Sequence, residues 1–400
     1  MTLFGYGKTT KAIADRFGNC KIYDDKFTAF SSDKFGNEFY PSEDFKPQNS
    51  NLEVTSPGIA PSHPLIKSAK NLISEYDLFA KKMPVSIWIS GTNGKTTTTQ
   101  MIGALLQDIG AELGGNIGKP LAKLNEDVPL WILETSSFTL HYTNNAKPNI
   151  YILLPITPDH ISWHGSFRAY EEAKLKPLAM MEEGSVAIVP KKYADTKSLA
   201  TIIGYESASD LADEFGIELE KLRFDEPFLT DALLALSVQK ILFDRLDYEK
   251  INSFEIGEHR VEKILDHKGR VWINDSKATN PDATIAALKS FKDKQLFLIL
   301  GGVDKGADQR ELFEFLSGLD VTIFTIGKNE KRLNDLAKEF KIIAKPCSTL
   351  KRAVKEIDLL HTENSIAILS PAAASLDQFE SYAKRGEEFK ERVLTIDRAN

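Results

Sequence analysis

Short apolar runs punctuate this chain, and between them apolar residues recur at helical spacing. Polar or glycine-rich loops separate the two kinds of stretch. Runs of this type read as buried strands of a parallel sheet covered by helices on both faces. Residues 258–400 alternate most clearly. Strands are expected there at Val271–Ile273, Leu296–Leu300, Val321–Ile326, Lys341–Ile343 and Ile366–Leu369, with helices such as Asp282–Phe291 and Glu330–Phe340 between them. Residues 83–257 repeat a strand–loop–helix grammar. Their strands are expected at Val85–Ile89, Leu130–Leu133, Ile150–Leu154 and Val186–Val189, and their helices at Phe167–Met181 and Asp231–Phe243. Residues 1–82 open on a short strand, Leu3–Phe4, that runs into Gly5-Tyr6-Gly7. A second strand, Lys21–Tyr23, ends in Asp24-Asp25; a loop-rich stretch follows, and LEVTSPGIAPSHP reads as a strand stopped by a Pro/Gly turn.

Three segments are therefore expected: 1–82, 83–257 and 258–400. Four hundred residues agree with that number of α/β domains. Hydrophobic content of 42% and charged content of 27% are those of an ordinary globular chain. The formal charge of -7 argues against a nucleic-acid binder, which needs a basic face. Two cysteines, Cys20 and Cys347, allow neither a disulfide framework nor a CxxC metal site. The start MTLFGYGKTT lacks the apolar core of a signal peptide, and no apolar run approaches the length of a membrane span. The expected compartment is the cytoplasm, with no membrane insertion.

The strongest local chemistry is IWISGTNGKTTTT. An apolar strand runs into Gly91-Thr92-Asn93-Gly94-Lys95-Thr96-Thr97 and then into a helix. Glycines let backbone N–H groups approach phosphate oxygens, and a helix N-terminus adds partial positive charge. Lys95 is expected to reach the β/γ-phosphates of ATP and Thr96 to ligate Mg²⁺. The full P-loop pattern asks for glycine where Ile89 stands, so this is the shortened G-x-x-G-K-T form. A run of four threonines is poor helix interior, and hydroxyls turned toward a ligand account for it better.

In an open parallel sheet, ligands bind beyond the carboxyl ends of strands. Glu134 follows LWIL, and Asp159-His160 follow YILLP, at the edge expected for the phosphate loop. One or two carboxylates plus phosphate oxygens suit Mg²⁺. Taken alone, Glu134 could equally be a solvated acid and His160 a structural histidine; the neighbouring phosphate loop favours function. Lys174 and Lys176, on FRAYEEAKLKPLAMM, read by themselves as solvated surface lysines. Later loops concentrate polar groups at strand ends. NDSKATN carries Asp275, Lys277 and Thr279; GGVDKGAD carries Lys305; SPAAASLDQF places Ser375 at an expected helix start. Arg260, in GEHRVEK, has the planar fork that clamps a phosphate. Each loop also has a plain reading as turn and cap chemistry.

These motifs together resemble the Mur ligase family over nearly the whole chain. The residues that carry the resemblance are SPGI, GTNGKTT, GNIGKP, ETSSF, PDHISWHGSF, AYEEAKLKP, EHRVE, NDSKATN, GGVDKGAD and SPAAASLDQFESYAKRGEEF. The resemblance implies a Rossmann-like N-terminal domain, a central P-loop-type ATPase domain with a parallel-rich sheet, and a Rossmann-like C-terminal domain. It implies an ATP-dependent ligase that joins D-glutamate to UDP-N-acetylmuramoyl-L-alanine through an acyl phosphate, with two Mg²⁺ ions, as a monomer. Lys95, His160 and Lys174 take catalytic roles in that scheme. Thr96, Glu134, His160 and Lys174 surround the metals, with Lys174 carbamylated. Arg260, Asp275 and Lys277 approach the nucleotide. Lys8, Thr9, Asp24, Gly58, Asn116 and His160 border the UDP substrate. Thr279, Lys305, Ser375 and Tyr382 line the D-glutamate site. The third domain is expected to close over the second during turnover. The chain departs from the family at four places. Gly5-Tyr6-Gly7-Lys8-Thr9-Thr10 lacks the third glycine of a full G-x-G-x-x-G. The first domain is short, Asp231 stands where an Asn is usual near the adenine, and Tyr382 stands where a Phe is usual. Alternatives are a sibling ligase such as a folylpolyglutamate synthetase, a non-catalytic UDP-sugar sensor, and a P-loop motor or GTPase.

Overall fold

The computed structural model describes residues 1–304 and 308–396, and in it the strands build three six-stranded sheets in chain order. The first sheet holds β1 (Thr2–Phe4), β2 (Lys21–Asp24), β3 (Ser31–Ser32), β4 (Glu38–Pro41), β5 (Glu53–Thr55) and β6 (Leu72–Ile73), ordered 3-4-2-1-5-6. The second holds β7 (Val85–Ser90), β8 (Glu112–Gly115), β9 (Leu130–Glu134), β10 (Ile150–Leu153), β11 (Val186–Pro190) and β12 (Thr201–Tyr205), ordered 12-11-10-7-9-8. The third holds β13 (Glu262–Leu265), β14 (Val271–Asn274), β15 (Gln295–Gly301), β16 (Val321–Ile326), β17 (Ile343–Ser348) and β18 (Ser365–Leu369), ordered 13-14-18-15-16-17. Only β3 with β4 and β13 with β14 pair antiparallel among the described strands; every other pairing is parallel.

The central strands are apolar throughout because helices cover both faces of a parallel sheet. LWILE of β9 and IYIL of β10 are buried at every position. The chain divides into two compact units. One contains Met1–Ile156, Trp163–Phe224 and Phe228–Phe254; the other contains Thr157–Ser162, Asp225–Pro227 and Glu255–Asn400. In the first unit one apolar core runs from Leu3 and Val54 of the first sheet and Ile13 of the helix Lys8–Phe17 to Trp88, Trp131 and Tyr151 of the second sheet. In the second unit, separate cores pack on the two faces of the third sheet, around Trp272 and Phe389 on one and Leu298 and Phe313 on the other.

Several elements differ from the sequence reading. The stretch after Asp25 carries β3 and β4 rather than loop alone; the parallel pairing of β4 with β2 turns a locally unremarkable EFYP into a strand. The strand expected from Lys341 begins at Ile343, because Lys341 itself has φ +58° and ends the preceding helix. Ser375 does not start a helix. The helix that follows is Tyr382–Leu394, capped by the Ser381 side chain. No helix among the described residues is long and apolar enough to cross a membrane.

Candidate active site

In the first unit the site grows from the end of β7. Ser86 to Ser90 are buried, and the chain then turns through Gly91 (φ +139°) and Gly94 (φ +84°) into the helix Lys95–Leu105. Only glycine fits both turns. A Cβ on Gly91 would stand 2.5 Å from Leu154 Cβ, and one on Gly94 2.7 Å from Asp231 Oδ1. The loop is pinned from outside: Thr92 N–H donates to Pro155 O, and the Thr92 hydroxyl shares a 3.0 Å hydrogen bond with Tyr170. Thr92 and Thr97 are buried, so Asn93, Gly94, Lys95 and Thr96 form the accessible rim. Lys95 Nζ folds back onto the carbonyls of Gly91 and Thr92, at 2.9 and 2.8 Å. Deeper in the helix, Thr98 donates to the Asp231 carboxylate at 2.6 Å. Asp231 therefore supports the loop from beneath.

Parallel pairing brings the end of β9 beside the end of β7. Glu134, 2% exposed, accepts from the Thr96 hydroxyl at 2.7 Å and from Asn116 Nδ2 at 2.6 Å. Asn116 follows the edge strand β8, and its own N–H binds Glu134 O. Glu134 and Thr96 thus offer oxygen donors on adjacent elements. That fits a hard cation completed by phosphate oxygens. Among the described residues no group of three or more His, Cys, Asp or Glu could hold a metal.

Lys174 overturns its plain reading. It is 1% exposed, and its Nζ donates to Gly91 O at 2.7 Å and to Ser90 Oγ at 3.3 Å, over the Tyr170 ring. Lys176, two residues further along the same helix, instead bonds the His141 carbonyl and Asn144. A cavity of about 220 Å³ opens between elements of the first and second sheets, with Lys8, Thr9, Ser56, Glu75, Tyr76 and Asn116 in its wall. Asp24 and Gly58 lie outside that wall. The Asp24 carboxylate caps the Tyr6 N–H of the glycine loop at 2.6 Å. Gly58 is exposed, and its carbonyl accepts from Trp163. Burial pushes the Glu75 carboxyl up to about 7, against the Ala122 and Leu121 N–H groups that favour its ionised form.

The second unit carries the remaining predicted residues. His160, with φ +54°, lies in Thr157–Ser162 beside the Asp159 carboxylate. Asp275 follows β14 and accepts from Ser370 Oγ at 2.6 Å and from Val261 N–H; burial raises its carboxyl to about 7. Arg260 sits between His259 and Val261, both at positive φ. Lys277 Nζ lies 4.0 Å from the Tyr382 ring centroid. Thr279 is partly exposed at the turn before the helix Pro281–Lys289, and Ser375 is buried in the loop after β18. Lys305 falls outside the described residues. Sequence reasoning missed Ser90, Tyr170, Glu75, Tyr76 and Arg385. None carries a local signal, since each acts through partners distant in sequence.

A family model described as the Mur ligase middle domain matches residues 89–218, and one described as the Mur ligase glutamate ligase domain matches residues 259–373. The chain belongs to the Mur ligase family. Within that class it is 53% identical to a Campylobacter jejuni UDP-N-acetylmuramoylalanine–D-glutamate ligase, over 99% of this chain and 100% of the relative. It is 45% identical to the Helicobacter pylori protein of the same name, over 98% and 99% of the two chains. The alignment with the C. jejuni relative covers 400 residues, nearly the whole of both chains. Among solved structures, a MurF ligase from Thermotoga maritima in complex with ADP superposes with a TM-score of 0.60 at 16% identity, over 98% and 97% of the two chains.

Proposed function

We propose that this chain is an ATP-dependent ligase that joins D-glutamate to UDP-N-acetylmuramoyl-L-alanine in peptidoglycan precursor synthesis. The observation that carries the reading is Asn116. Its amide holds the Glu134 carboxylate beside Thr96, and the same residue forms part of the cavity wall. A substrate seated in the cavity therefore shares a wall with the acid of the phosphate loop. The names of the full-length relatives supply the identity of that substrate and of the amino acid.

The reaction is amide formation through an acyl phosphate. An L-alanyl carboxylate oxygen attacks the ATP γ-phosphorus, and the bond to ADP breaks. The D-glutamate amine then attacks the acyl carbon; phosphate leaves and the amine gives up its proton. Gly91–Thr96 cradle the phosphates through backbone N–H groups at the helix N-terminus, and Lys95 exchanges its carbonyl partners for phosphate oxygens. Thr96 and Glu134 would hold a Mg²⁺ ion, which when bound would neutralise charge on the phosphate oxygens. Lys174 acts as its carbamate, the anionic form in which a lysine can ligate a second ion; its burial against Ser90 and Gly91 supports a fixed structural position for that group. His160, Arg260, Asp275, Lys277, Thr279, Lys305, Ser375 and Tyr382 keep the roles set out from the sequence. Residues 1–82 serve as a Rossmann-like UDP-substrate domain, 83–257 as a P-loop-type ATPase domain and 258–400 as a Rossmann-like amino-acid domain. The protein acts in the cytoplasm as a monomer.

The test is phosphate release from ATP with UDP-N-acetylmuramoyl-L-alanine and either D-glutamate, L-glutamate, meso-diaminopimelate or no amino acid. Release that depends on D-glutamate is the expected result. Release with another amino acid moves the chain to a sibling activity, and no release under any condition overturns the ligase reading.

A further inference from the structure

Arg385 is 1% exposed, on the helix Tyr382–Leu394. Its guanidinium uses all three nitrogens in different directions. Nε donates to Ser276 Oγ and Nη2 to Ser276 O, both at 2.9 Å; Nη1 donates to Ala373 O at 3.0 Å. Ser276 belongs to the loop that carries Asp275, Lys277 and Thr279, and Ala373 to the loop that carries Ser375. The Ser276 hydroxyl donates a hydrogen bond to Tyr382 O at 2.8 Å, closing a ring through the start of the Arg385 helix. The acceptors of Arg385 are one hydroxyl and two carbonyls; Asp377 and Asp275 supply the opposing charge. Burying a cation on neutral acceptors is costly, and a merely structural role would be filled more cheaply by an apolar side chain. A planar fork that fixes two loops at once gives the expense a reason.

We propose that Arg385 is a positioning residue that sets the spacing between the nucleotide-facing loop and the loop that receives the amino acid, so that one side chain tunes the affinity for both. This rests on the ligase reading above. Lysine cannot replace it, because one ammonium on a flexible stem cannot hold two loops in three directions. The prediction is selective: KM for D-glutamate and for ATP rises, while KM for UDP-N-acetylmuramoyl-L-alanine, whose cavity lies in the other compact unit, stays unchanged.

The control is Arg270, 5% exposed in the same unit and held by Asp266 and Asp358. It precedes β14, whereas Asp275 follows that strand, so it lies at the opposite end from the Asp275 loop. Steady-state constants for all three substrates and thermal midpoints are measured for the parent, Arg385→Lys and Arg270→Lys. In Arg385→Lys, KM for D-glutamate and ATP is expected to rise about tenfold or more, as misplacement of binding groups predicts. Arg270→Lys is expected to lose thermal stability with its KM values unchanged. If Arg385→Lys does not fold, Ser276→Ala removes one anchor and is held to the same criterion. KM values that do not move, or that move alike for all three substrates, overturn the proposal. A parent without D-glutamate-dependent release overturns the ligase reading itself, and this proposal with it.

Discussion

At the scale of single residues, burial decides which polar groups carry the chemistry. Glu134 is enclosed, yet both its oxygens are held by neutral donors, Thr96 and Asn116. Glutamine in its place keeps the shape and removes the charge. Glu134→Gln is expected to lower kcat for phosphate release by about a hundredfold or more, with the thermal midpoint close to the parent's. Glu75 reports differently. Its folded-state carboxyl is raised to about 7 by burial, above its ordinary value of 4.5. The stability it contributes is present below about 4.5 and is lost as the pH rises through about 7, since the ionised form must then be buried. Glu75→Gln lacks that loss. Its thermal midpoint relative to the parent is expected to rise between pH 5 and pH 8, on the order of 3 kcal/mol at most. A constant difference across that range would refute the assignment.

At the scale of elements, residues 85–105 form a strand–turn–helix unit whose glycine turn has little freedom. Gly94 combines φ +84° with a close approach to Asp231 and Leu154. Gly94→Ala is expected to cost about 1–3 kcal/mol of stability and to weaken ATP binding together, measured by thermal melting and nucleotide titration. The Asp231–Thr98 bond joins the loop helix to the helix Phe228–Phe243. Asp231→Ala removes the nearer of the two acceptors of the Thr98 hydroxyl, leaving Gly94 O at 3.2 Å, and is expected to cost about 0.5–1.5 kcal/mol. Asp231→Asn keeps an acceptor for Thr98 and should cost less. Equal losses in the two variants would mean that the hydrogen bond contributes little.

At the scale of the whole molecule, two compact units with their own cores make a single unfolding transition an unsuitable description. Calorimetry is expected to resolve two transitions. UDP-N-acetylmuramoyl-L-alanine should raise only that of the unit containing the cavity, by about 2.7 kcal/mol at a hundred times its Kd. A single transition that shifts as one would contradict this. Much of the architecture was legible from pattern. The strands Val85–Ser90, Leu130–Glu134 and Val321–Ile326 stand where apolar runs placed them. The edge strand Glu112–Gly115 was not, because ELGG has two glycines and becomes a strand only by pairing with Leu130–Glu134.

The sequence by itself determined the glycine turn between β7 and the helix after it, the central strands of the second and third sheets, and the family. Those properties depend on neighbours along the chain: an apolar run, glycines at a turn, hydroxyls after a lysine. Only the tertiary structure decided which polar side chains are enclosed. Lys174 looks like any lysine on a polar helix until Ser90, 84 residues earlier, and the Gly91 carbonyl meet its ammonium. Arg385 looks like a solvated arginine until Ser276, 109 residues earlier, meets its fork. Burial and hydrogen bonding are set by groups that cross from other elements, and no local pattern encodes what lies opposite.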